Sequence, residues 1–133
     1  MRSIGGYSTT PTSGADARLI EGWALTEVAR RMHLAQTTEP KDTKMVHLAV
    51  TTNLRLWTII QAYLLDPSCT VPRKVRINIL ALSRFIDKRT SVILANPKTE
   101  SLDALISINR GLAKGLMTYP CQSVDAKFNR TLT

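Results

Sequence analysis

Side chains able to do acid–base, redox or metal chemistry are few in this 133-residue sequence, and none falls at a working spacing. His33 and His47 stand alone on separate segments, without the i, i+4 partner histidine of a zinc site. Cys69 and Cys121 make no Cys-x-x-Cys pair and no ligand cluster, which reads as reduced thiols in a cytoplasm. No glycine-rich phosphate loop precedes a helix. Ser83 and Ser107 read as polar fillers, and Asp87 beside Lys88 and Arg89 as a solvated charge run. The expectation is a non-enzymatic protein with no metal and no cofactor.

What remains is the chemistry of association, concentrated in "LISINRGLAKGL" at 105–116. On a helix, Leu102, Leu105, Ile106, Asn109, Leu112, Ala113 and Leu116 share one side, which puts Asn109 in the middle of an apolar stripe. A buried amide left unpaired costs about 1–3 kcal/mol, so Asn109 needs a partner. Asn53, beside Trp57, is the best candidate. The far side of the same helix carries Ala104, Ile108, Gly111 and Gly115. Each internal glycine costs about 1 kcal/mol relative to alanine. Two readings follow: a groove of small residues that admits a partner helix, or Gly115 as a helix C-cap with Gly111 on the surface.

The elements that must position these residues are helical. Aromatic residues make up only 5% of the chain, and Ala, Leu, Ile, Val and Met recur at helical spacing without alternating β-rich runs. Residues 1–12 read as a flexible arm, too polar to offset ordering entropy. A first helix, capped by Thr12 or Ser13, runs to about Gln36 with Ala24, Leu25, Val28, Met32 and Ala35 inward, and Leu19 and Trp23 off that stripe. Pro40 ends it, and Asp42 or Thr43 caps a second helix over 43–65. That helix carries two stripes, Met45, Ala49, Thr52, Leu56, Ile59 and Tyr63 beside Asn53, Trp57, Ile60 and Leu64, which predict a wide, deeply buried face.

A third helix follows over 72–95, with Pro72 in its first position and Val75, Ile79, Leu82, Ile86 and Ile93 inward. Its Arg73, Lys74, Arg76, Arg84, Lys88 and Arg89 against Asp87 leave +5 of the chain's net +8 on this one segment. A fourth helix, capped by Thr99 or Ser101, ends near Thr118, and 119–133 read as a loosely ordered tail. One domain over 13–118, an all-α compact bundle of about four helices, is the predicted fold. The longest apolar run, "LWTIIQAYLL" at 56–65, is half of what a membrane span needs, so no membrane partner is expected.

The blocks "NLRLW" at 53–57, "ILALSRFIDKRTSVIL" at 79–94 and "LISINRGLAKGL", in this order and spacing, resemble the flagellar protein FlaF family of alphaproteobacteria. The resemblance covers about residues 14–117. The family pattern falls on Asn53, Leu56 and Trp57 of the second helix and on Leu105, Ile106, Ile108, Asn109, Arg110, Gly115 and Leu116 of the last; Gly111 lies outside it. It implies a factor that promotes flagellin production and export, associates with flagellin, and acts with the translational regulator FlbT. A chaperone of this kind would cover an apolar flagellin helix, with Ala104, Ile108, Gly111 and Gly115 as the floor. The basic third helix would steer an acidic flagellin or FlbT surface inward.

Two competing readings stay open. The +8 charge and the link to flagellin expression suit an RNA-binding regulator of flagellin messenger RNA, although no exposed aromatic module is evident. An adaptor joining FlbT and flagellin would use Trp23 and Leu19 as a second face. A second copy of the chain could close the small-residue row as well as a partner could.

Overall fold

The computed structural model describes residues 14–118. It contains α1 (Gly14–Thr37), α2 (Thr43–Leu65), α3 (Arg73–Ala95) and α4 (Asp103–Thr118). The expected arm and tail, the caps Thr12 and Ser13, and Cys121 lie outside the described residues.

Local chemistry accounts for the boundaries. Thr38 closes α1 by donating its backbone N–H and its hydroxyl to the Leu34 carbonyl, at 3.0 and 2.6 Å. Asp42 caps α2, its Oδ1 accepting from the backbone N–H of Lys44 at 3.0 Å and of Met45 at 3.3 Å. Pro72 stands one position earlier than predicted. With φ −54° and ψ 144° it is the N-cap of α3, because its carbonyl already accepts from Arg76 N–H at 2.9 Å while its own backbone stays extended. The last helix also starts later than Thr99 suggests. Thr99 belongs to the preceding turn, and Ser101 Oγ accepts from Asp103 N–H at 3.1 Å.

The helices run in sequence around a shared core. α1 packs most extensively on α4 and also on α2, while α2 joins α3; α3 and α4 meet only slightly, so that edge of the bundle is open. The core holds Leu25, Met32, Val46, Val50, Trp57, Ile86, Ile93, Leu102 and Leu105, all fully buried. Trp23, which lies off the α1 stripe, is exposed. The α2 face is narrower than expected. Asn53, Trp57, Ile60 and Leu64 are buried, whereas in the neighbouring stripe Met45, Thr52, Leu56 and Tyr63 are half-buried and Ile59 is exposed. The reason is topological: α1 and α3 flank α2, and no helix lies over its outer side.

Polar residues on α3 are more buried than its periodicity suggested. Ser83 accepts a hydrogen bond from Gln61 Nε2 of α2, and Thr90 turns its hydroxyl back onto the Ile86 carbonyl at 2.6 Å. Each satisfies its own hydroxyl and so can enter the core side of the helix.

Candidate functional site

At the centre of the bundle, three side chains form a directional chain. The indole Nε1–H of Trp57 donates to Asn109 Oδ1 at 2.9 Å, and Asn109 Nδ2 donates to Asn53 Oδ1 at 2.7 Å and to the Leu25 carbonyl at 3.5 Å. All three side chains are fully buried. An indole N–H can only donate, so it fixes the orientation of Asn109, which in turn fixes Asn53. The pairing of the two asparagines was legible in the stripes; the indole was not. A fully buried tryptophan needs an acceptor, and Trp57 lies one turn beyond Asn53. Asn53 Nδ2 is left as a buried donor without a protein partner.

These residues bind α4 to α2 across the core and thereby orient the outer side of α4. There Ala104 and Ile108 are half-buried, Ile108 packs on the edge of the core, and Gly111 and Gly115 are exposed. A Cβ added at either glycine would meet nothing within 4 Å. α4 continues past Gly115 to Thr118, and no glycine among the described residues has a positive φ, so the C-cap reading of Gly115 fails. Within this row Gly111 and Gly115 stand open, while Ala104 and Ile108 are partly covered by the rest of the bundle. Leu56 packs half-buried against the core, and Arg110 is exposed on another side of α4.

The basic face of α3 divides in two. Arg73, Lys74, Arg84 and Lys88 are exposed and Arg76 is half-buried. Arg89 is instead bound up in the fold, pairing with Glu100 at 3.0 Å and donating to the Ser101 carbonyl at 2.9 Å. It therefore leaves the surface set.

A small electrostatic cluster lies on α1. Hydrogen bonds first from Arg30 and then from Arg31 hold the Glu27 carboxyl at about 2, well below its ordinary 4.5. A depressed carboxylate stabilises the fold above its unfolded pKa and loses that contribution as pH falls from about 4.5 to about 2. The cluster is solvent-exposed, so the effect is small. Glu27→Gln should lower the thermal midpoint slightly at pH 7 and leave it equal to the wild type near pH 2, as measured by a circular-dichroism melt at each pH.

Among the described residues no group of three His, Cys, Asp or Glu could hold a metal, and no helix is long and apolar enough to cross a membrane. Comparison with known families supplies what side-chain chemistry does not. The sequence profile described as "Flagellar protein FlaF" matches residues 3–116. The chain belongs to the flagellar protein FlaF family. The match reaches further towards the N-terminus than the motif blocks do, and in this FlaF-family chain it ends at Leu116, the last apolar position of the α4 stripe. No curated protein and no solved structure matches the chain.

Proposed function

We propose that this FlaF-family protein is a non-enzymatic factor of flagellum biogenesis. It binds flagellin in the cytoplasm as a secretion chaperone, promotes flagellin production and export, and acts alongside an FlbT-type regulator. The observation that carries this reading is the row Ala104, Ile108, Gly111 and Gly115 on α4, half-buried at its first two residues and with open space in front of both glycines. A small-residue row lets the backbone of an incoming amphipathic helix approach closely, and the half-buried Ile108 supplies an apolar anchor. Flagellin monomers present such helices, whose apolar faces are aggregation hazards until they pair in the filament.

The test is a calorimetric titration of the protein with monomeric flagellin from the same organism at two salt concentrations. Micromolar or tighter binding that survives high salt, and is abolished by Gly115→Leu, is the expected result. Because the space at Gly115 is open, this change leaves the fold intact, whereas Ile108→Asp also disturbs packing at the core edge. Binding that collapses with salt and depends on Arg73, Lys74, Arg84 and Lys88 would favour the nucleic-acid reading. No binding at either salt would transfer the role to FlbT or flagellin messenger RNA.

The glycines offer a second check. Gly111→Ala should stabilise the free protein by about 0.5–1 kcal/mol, since alanine is the better helix former and its methyl group meets no neighbour. The same change should weaken flagellin binding. A urea melt and the titration together separate the two effects.

A further inference from the structure

An apolar surface that the proposed function does not use lies along the seam of α1 and α2. Of the large hydrophobic side chains left exposed, Trp23 (62%) and Leu34 (46%) are on α1, and Leu48 (67%) and Ile59 (62%) are on α2. Each pair is separated by eleven residues, three helical turns, and so shares one face of its helix. Leu34 and Leu48 line one depression of about 160 Å³, floored by Met45, Ala49 and Thr52 and edged by Arg31. α1 and α2 are consecutive helices that pack on each other, so Trp23 and Ile59, each three turns from that depression, mark the far end of the seam on either helix. The seam thus carries an apolar patch at each end, about 16 Å apart, with Glu27 and Arg30 of α1 and Thr52 and Arg55 of α2 between them, a spacing that roughly three turns of a partner helix would span.

Charge selects the occupant. α2 contains no acidic residue, and its exposed Lys44 and Arg55 border Leu48 and Ile59. On α1, Arg30 and Arg31 sit between Trp23 and Leu34 and share the Glu27 carboxylate, and at the Leu48 end Asp42 is engaged as the cap of α2. A second copy of the chain docked on its own seam would bring two basic rims together. We propose that this seam is a docking site for an amphipathic helix of a different protein, one whose apolar stripe is flanked by carboxylates. The site is independent of the α4 row and of whether flagellin binds there.

The probes are two synthetic helical peptides of about 18 residues with the same leucine stripe, one flanked by glutamates and one by lysines, titrated into the full-length protein. Tryptophan emission reports directly, because Trp23 is exposed and Trp57 is already buried. The glutamate-flanked peptide should bind with micromolar affinity and shift the emission to the blue, while the lysine-flanked peptide should not bind. The pair Leu48→Lys and Ile59→Lys should weaken binding by roughly tenfold or more, and Gly115→Leu should leave it unchanged. Arg55→Glu, which keeps all four apolar side chains, should reduce the preference for the glutamate peptide and serves if the double variant does not fold. The proposal is overturned if neither peptide binds, if both bind alike, or if the variants bind like the wild type. It is equally overturned if Trp23 is shielded from iodide in the free protein, or if sedimentation finds a dimer that the Leu48 and Ile59 changes dissociate.

Discussion

Asn109→Leu should cost about 2–6 kcal/mol of folding stability, since it orphans two buried groups at about 1–3 kcal/mol each. The Trp57 indole N–H loses its acceptor, and Asn53 Oδ1 loses its donor. Leucine matches asparagine in branching and is bulkier, so no cavity is created; the loss is polar, with any overpacking adding to it. For a small domain whose whole stability is about 5–15 kcal/mol, this is a large share. Pairing with Asn53 alone would leave a single group orphaned; the indole makes it two. Asn53→Leu should cost less, because it also deletes the partnerless Nδ2 and leaves Asn109 Nδ2 near the Leu25 carbonyl. Combining Asn53→Leu with Asn109→Leu should recover part of the loss. Urea unfolding of the set checks the order. Zero coupling between positions 53 and 109, or an Asn53→Leu cost equal to that of Asn109→Leu, would refute the chain of donors.

The helices and the asparagine pair were legible because both follow from periodicity, and periodicity is local. Asp42 as a cap and Pro40 as a terminator are likewise short-range chemistry. Ile59 was misplaced for a different reason. Its stripe is as apolar as that of Trp57, and only the placement of α1 and α3 on either side of α2 decides which stripe is covered. Arg89 looked like one more member of a basic face until the turn after α3 brought Glu100 and the Ser101 carbonyl to it. Ser83 and Thr90 interrupt an apolar pattern that their own hydrogen bonds make tolerable. As for the α4 row, its residues were visible in the sequence, but the open space before its two glycines is decided by how the packed helices lie around α4.

Gln36→Leu is the other change expected to matter, at about 1–3 kcal/mol. Nothing in the sequence marks this glutamine, since its partners lie more than sixty residues away. Its Oε1 accepts from the Leu102 N–H at 2.6 Å and from Ser101 Oγ at 3.5 Å, and its Nε2 donates to Asp103 Oδ1 at 2.7 Å. The last turn of α1 thus caps the first turn of α4, where backbone donors have no partner within the helix. Arg89 holds the same turn from α3. Loss of Gln36 should accelerate hydrogen exchange at Leu102 and Asp103 more than in the centre of α1. Gln36→Glu keeps the acceptor for Leu102 N–H but sets two carboxylates together, so it should destabilise too. Adding Asp103→Asn supplies a donor again and should restore most of the loss. If Gln36→Glu alone matches the wild type, or Asp103→Asn gives no rescue, the cap does not anchor α4, and the position of its small-residue row must rest on core packing alone.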